Sequence, residues 1–88
     1  MIYVGTEIHG RGFRHVIAYD DMADLKKSAA LWLDRRDEAS EIKSRSTIDD
    51  LCHALRDAGI GFGSRSHSRI SRREAFKLKR DGVEAIGF

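Results

Sequence analysis

Residues 1–4 (MIYV) open the chain with a run of apolar, β-branched and aromatic side chains that stops at Gly5, the pattern of a short buried strand. Glycines at 10 and 12 mark a turn, and residues 13–18 (FRHVIA) then alternate. Phe13, His15 and Ile17 would share one face, and Arg14, Val16 and Ala18 the other, which sets His15 among apolar neighbours. The connection between these strands is longer than a tight hairpin, so it does not dictate whether they run antiparallel.

From residue 22 the apolar spacing lengthens. Met22, Leu25, Ala29 and Trp32 recur at helical intervals, Leu31 and Leu33 widen the stripe, and Asp20 or Asp21 stands as a cap with Asp24 in the first turn. Residues 34–45 (DRRDEASEIKSR) mix charges of both signs around Ala39 and Ile42, as a solvated helical extension or an exposed connector does. A second helix is signalled by Ser46 or Thr47 as cap, by Asp49 and Asp50 in the first turn, and by a stripe of Ile48, Leu51, Cys52 and Leu55. Gly59 stands where a left-handed terminating residue belongs, and Ile60 can fold back on the helix behind it. Residues 60–63 permit a short strand. A third helix starts at Ser71, which forms a capping box with Glu74 while Ile70 staples against Ala75; Ala75, Phe76 and Leu78 give it an apolar side, and Gly82 ends it. Residues 83–88 (VEAIGF) read as a terminal strand.

These elements predict an α/β or α+β fold, a small three- to four-stranded sheet packed against two or three helices. Were residues 60–62 and 83–86 paired in that sheet, the helix between them would be a right-handed crossover and the strands parallel. At 88 residues the chain makes a single domain, residues 1–88. A domain of this size buries about 60–65% of its unfolded surface, which suits one modest core and a shallow surface site.

Composition narrows the function classes. Hydrophobic residues at 41% and charged residues at 34% describe a well-charged globular chain rather than a disordered one. The sequence has neither an apolar run of membrane-spanning length nor the basic and apolar regions of a signal peptide, so the expected compartment is the cytoplasm, with no membrane partner. The single cysteine, Cys52, excludes an internal disulfide and a site built from several thiolates. Net charge is only +2, yet it is unevenly placed: residues 18–57 carry ten acidic and seven basic side chains, whereas residues 64–80 carry seven basic and one acidic.

That basic stretch, SRSHSRISRREAFKLKR, is where chemistry is expected. A serine-rich segment behind Gly61 and Gly63 that leads into a capped basic helix is a place to hold an anion, through free helix N–H groups, hydroxyls and arginines. The candidate anion- or nucleic-acid-binding residues are Arg65, His67, Arg69, Ser71, Arg72, Arg73, Lys77 and Arg80. The segment matches neither the P-loop nor the dinucleotide fingerprint. The alternative is a solvated helix face beside a polar loop, which presents the same residues. Residues 59–71 are too long for the turn of a helix-turn-helix unit. His9, His15, His53 and His67 form no zinc spacing, and Cys52 on an apolar stripe reads as a small buried side chain. His67 could donate to a phosphate or exchange a proton with it, or be a plain exposed histidine. Trp32 and Phe76, at helical positions, read as core.

The opening IYV strand, the segment RGFRHVIAYD followed by DMADLKKSAALWL, and the closing HSRISRREAFKLKRDGVEAI resemble the layout of a small uncharacterised family of bacterial and phage proteins, a domain of unknown function. Its members open with a strand ending in aspartate, continue through a Trp-Ser-His segment and a helix, and close with a His-Tyr-Asp segment, a basic helix and a Gly-Ala-Val strand. The resemblance covers both ends of the chain, and residues 34–63 look inserted. Gly5 stands where the family has aspartate, Phe13 and Arg14 replace the tryptophan and serine, and Ser68 and Arg69 follow His67. The loss of the acidic residue implies binding rather than catalysis, with no catalytic residue, metal or cofactor assigned. The expectation is a small bacterial or phage accessory protein whose basic surface binds nucleic acid or another phosphorylated ligand. A protein-interaction or inhibitory role on a host protein complex is the alternative, and a phosphate-directed enzyme using His67 the third.

Overall fold

A computed structural model describes residues 1–7, 12–35, 46–62 and 67–88. Four strands and three helices follow one another as β1 (Ile2–Glu7), β2 (Phe13–Tyr19), α1 (Met22–Arg35), α2 (Ile48–Asp57), β3 (His67–Ile70), α3 (Arg72–Arg80) and β4 (Glu84–Ile86). This is an α+β fold around one mixed sheet, in the order β3-β1-β2-β4. The two pairings of β1, with β2 and with β3, are antiparallel; β2 and β4 are parallel.

The sheet is covered on both sides, and strand alternation divides the side chains between two cores. Val4, Ile17, Tyr19 and Ile86 pack with Leu25, Ala29, Trp32 and Leu33 of α1, with Leu51 and Leu55 of α2, and with Ile60 and Phe62. On the opposite side Tyr3, Val16 and Ala18 pack against Ala75 of α3, with Ile70, Leu78, Val83 and Phe88 beside them. Leu31 and Ile48, expected on apolar stripes, are exposed, as is Phe76. The stripes are narrower than their sequence suggests: α1 buries Leu25, Ala29, Trp32 and Leu33, α2 buries Leu51 and Leu55, and α3 buries Ala75.

Caps and terminators form where the sequence placed them. Asp21 Oδ1 accepts the Asp24 amide at the start of α1. Thr47 and Asp50 close a reciprocal capping box on α2, and the bonds from Thr47 hold the Asp50 carboxyl below its ordinary range. Ser71 Oγ accepts the Glu74 amide on α3. α2 and α3 end alike: the Gly59 and Gly82 amides donate to the carbonyls of Arg56 and Lys79, and the next amides, of Ile60 and Val83, reach back to Leu55 and Leu78. Both glycines have positive φ, 88° and 98°, as this closure requires.

Two strand expectations are corrected. Residues 60–62 form no strand, because the Ile60 amide is committed to ending α2 and the Ile60 and Phe62 side chains are drawn into the core. The strand ahead of α3 is β3, which lay hidden in the serine and arginine segment. The connection through α3 therefore does not join neighbours: β3 and β4 run in the same direction at opposite edges, and α3 spans β1 and β2 to link them. β1 also runs on through Gly5 to Glu7 instead of stopping at Gly5. The turn residues 10–11 and the connector residues 36–45 lie outside the described residues.

Gly5 belongs in a strand because of Phe13. A register shift between Thr6 and Glu7 sets Phe13 opposite Glu7 and takes it off the face of His15 and Ile17. Its ring fills the space over Gly5, where a Cβ would come within 2.5 Å of Phe13 Cδ1. Gly5→Ala should accordingly lower the urea midpoint. Combining it with Phe13→Ala should cost less than the two changes added, a non-additive double-mutant cycle. Trp32, 6% exposed, anchors the other face. Trp32→Ala should remove about 3–5 kcal/mol of stability, measured by the same denaturation, because the cavity forms where α1, β2 and β4 meet.

Candidate functional site

α3 positions most of the residues expected to contact an anion. Ala75 is buried and Leu78 half-buried, which fixes the helix on the sheet and turns the opposite side outward. Arg73, Lys77 and Arg80, at intervals of i, i+4 and i+7, form one exposed line, and Arg72 and Phe76 run beside it. The Arg72 guanidinium lies 5.4 Å from the centroid of the Phe76 ring, which is 44% exposed and rests on Tyr3 and Phe88. Lys79 leans away, with its ammonium over Phe88 at 5.1 Å. Phe76 was expected in the core; it is instead a half-open ring within a basic surface, because the sheet beneath α3 is already filled by Tyr3, Val16 and Ala18.

The remaining candidates do not join that surface. Arg65 lies outside the described residues. Ser71 spends its hydroxyl on the helix cap. Arg69 is exposed on β3, but alternation places it on the sheet face opposite α3. His67 is on that same face, half-buried, with its ring 4.7 Å from that of Phe62.

His67 belongs to an arrangement that sequence reasoning did not assemble. The registers align Thr6 with His15, Thr6 with His67, and His15 with Glu84. One polar row, His67–Thr6–His15–Glu84, thus crosses all four strands on the α1 and α2 face, directly beyond the apolar row of Val4, Ile17 and Ile86. Glu84 is held at both oxygens. Oε1 accepts a hydrogen bond from Trp32 Nε1 at 2.9 Å, and Oε2 lies 3.5 Å from His15 Nε2. The edge of one ring meets the other where His15 and Trp32 touch, 5.8 Å between centroids. With Nε2 turned toward Glu84, His15 points its Nδ1 inward, out of solvent. Thr6 is fully buried, and its hydroxyl has no hydrogen-bond partner among the described residues. Such an orphan costs about 1–3 kcal/mol. The available signal in the sequence was a polar residue inside an apolar run: His15 in FRHVIA and Glu84 in VEAI.

Among the described residues no three of His, Cys, Asp and Glu are grouped to hold a metal ion. Burial and Asp49 push the Cys52 thiol above its ordinary range, which keeps it protonated and a poor nucleophile. No helix of the described residues is long and apolar enough to cross a membrane. In comparison with known proteins, the chain matches no family model, no curated protein and no solved structure.

Burial also holds the His67 imidazole below its ordinary pKa of 6.5. The unfolded chain therefore takes up this proton before the folded one as pH falls. The neutral imidazole's contribution to stability is fully present above about pH 6.5 and is lost as pH drops through the lowered folded value. His67→Gln should flatten the pH dependence of the urea midpoint below about pH 6.5. An unaltered pH dependence would mean that His67 titrates as it does in water.

Proposed function

We propose that the outer face of α3 binds single-stranded nucleic acid, with Arg72, Arg73, Lys77 and Arg80 on phosphates and Phe76 as a stacking platform. The observation that carries this reading is the exposed Phe76 ring set inside a line of cations on a helix with one acidic side chain, Glu74. A positively charged track beside an aromatic face is how proteins hold single strands without reading sequence. From Arg73 to Arg80 the helix rises about 10 Å, so its cations form a short track along the helix rather than a single point of charge. The capped N-terminus at Ser71 adds its dipole to the same end as Arg72 and Arg73. Duplex recognition is less well supported, since a nine-residue helix docked along the sheet presents an aromatic side chain that a duplex would leave unused.

Titration of labelled single-stranded DNA and RNA at several salt concentrations tests this. Each phosphate contact on a single strand contributes about 0.7 to the magnitude of the salt slope, so replacing Arg73, Lys77 and Arg80 by alanine should lower it by about 2. Phe76→Ala should weaken binding by about 1–3 kcal/mol while leaving the slope in place. Both variants should retain the circular dichroism of the parent, because exposed charges contribute little to folding and Phe76, 44% exposed, lies on the outer face of α3 rather than in the core. A parent protein that binds no single strand in a salt-sensitive way would overturn the proposal, and nuclease-resistant capture of a protein partner through the same face would favour the interaction role instead.

A further inference from the structure

An open cleft of about 240 Å3 lies at the outer edge of the sheet, between α1 and residues 85–88. One wall is a line along α1, Ser28, Leu31, Trp32 and Arg35, which recur at i, i+3, i+4 and i+7 on one side of the helix. The other wall is Ala85 and Ile86 of β4 with Gly87 and Phe88 beyond them. β4 is an edge strand, so no further strand among the described residues covers this side. Gly87 shapes one end. Its φ is 90°, and a Cβ there would run into the Ala18 carbonyl and come within 3.5 Å of Ser28 Oγ, so the backbone passes this close to α1 only without a side chain. The turn takes the chain from Ile86, packed beneath α1, to Phe88, packed beneath α3.

The chemistry changes along the cleft. Ser28 and Arg35 are two turns apart, about 10 Å along the helix axis. Between them the walls are apolar, and Leu31, 52% exposed, forms their lip. At the other end stands Arg35, exposed and without an ion pair among the described residues. No acidic side chain lines the cleft, since Glu84 turns its oxygens to Trp32 and His15. A second cation, Lys79, lies over the Phe88 ring at 5.1 Å.

We infer that this cleft binds a small apolar monocarboxylate, with its carboxylate on Arg35 and its hydrocarbon body against Leu31, Ile86 and Phe88. A guanidinium fork meets a carboxylate in two parallel bonds and balances its single charge alone. A phosphate monoester, with a charge of about −1.5 to −2, would leave charge uncompensated against apolar walls. The volume falls below the range of about 300–1,000 Å3 that holds drug-sized molecules, so the ligand is smaller than these. An extended peptide fits less well, because β4 offers it only three residues of strand. A cation in the last turn of a helix is favourable in itself, but the open apolar walls beside it serve no helix end.

NMR of the full chain tests this, with hexanoate, hexan-1-ol and acetate titrated separately at fixed pH and ionic strength. Hexanoate should shift the amides of Ser28, Leu31, Arg35, Ala85 and Gly87 together, saturably and with one Kd. Hexanol lacks the charge and acetate the apolar body, and each should bind at least about tenfold more weakly. Arg35→Gln should weaken hexanoate about tenfold, toward the affinity of hexanol. Leu31→Ala removes the lip and should also weaken it. Both positions are exposed, so both variants should keep the amide spectrum of a folded chain. The alanine variant of Arg73, Lys77 and Arg80 should bind hexanoate as the parent does. Hexanoate that binds no better than hexanol, or equally well after Arg35→Gln, would overturn the carboxylate assignment. Shifts centred on α3, or binding lost in the α3 variant, would overturn the cleft as the site.

Discussion

Val16 and Ala18 are buried against α3 while Ile17 and Tyr19, between and beyond them in β2, are buried against α1 and α2, so the central strands are dry on both sides. A slip of one residue in either strand would exchange the two sets, sending His15 toward α3 and Val16 toward Trp32. Register is therefore strongly specified, and everything polar on these strands must be either at an edge or at an end. The shift between Thr6 and Glu7 is tolerated because it falls where the double coverage stops. It delivers Phe13 to the bare side of Gly5 and leaves His15 as the first residue of β2 on the α1 and α2 face. The polar row is thus a consequence of where the dry sheet ends.

The same coverage explains why the basic helix has an open outer face. The sheet beneath α3 presents small and already packed side chains, so Ala75 alone is fully buried in α3, with Leu78 beside it. Little of the helix surface is needed for docking, and the rest is available for cations and for Phe76. The two surfaces consequently sit on opposite sides of the sheet and draw on different chemistry. On α3, long solvated cations act through charge and are screened by salt. At the row, imidazoles, a hydroxyl and a carboxylate act through short directional bonds in a partly desolvated setting, where each unpaired group is costly.

Local chemistry carried by neighbouring residues was readable in the chain. The cap at Ser46 or Thr47, Ser71 with Glu74, Gly59 with Ile60 and the stop at Gly82 all act within a few residues; the structure takes Thr47 as the cap, and the helices they bound stand where the periodicity placed them. The buried stripe of Leu25, Ala29 and Trp32 and the alternation of β2 were equally legible, because burial of one helix face or two sheet faces leaves a period in the sequence. So was the class of the fold, an α+β sheet with helices, and the concentration of cations on the helix after Ser71.

Pairings between distant strands left no such period, and they decided the rest. β3 has only Ile70 as a strong strand former, and HSRI becomes a strand because β1 offers it a free edge; the apolar residues 60–62, with better local credentials, are consumed in closing α2. Phe76 and Leu31 have the spacing of core residues and lie outside because the surface opposite them was already filled or absent. Gly5 reads as the end of a strand until Phe13 is seen lying over it. His67, Thr6, His15 and Glu84 are scattered over nearly the whole chain, and what gathers them is a ladder of hydrogen bonds between backbones, to which side-chain identity contributes almost nothing. The sequence by itself determined the helices, their caps and the charge of α3; only the tertiary structure, through strand order and register, decided which polar side chains share a row.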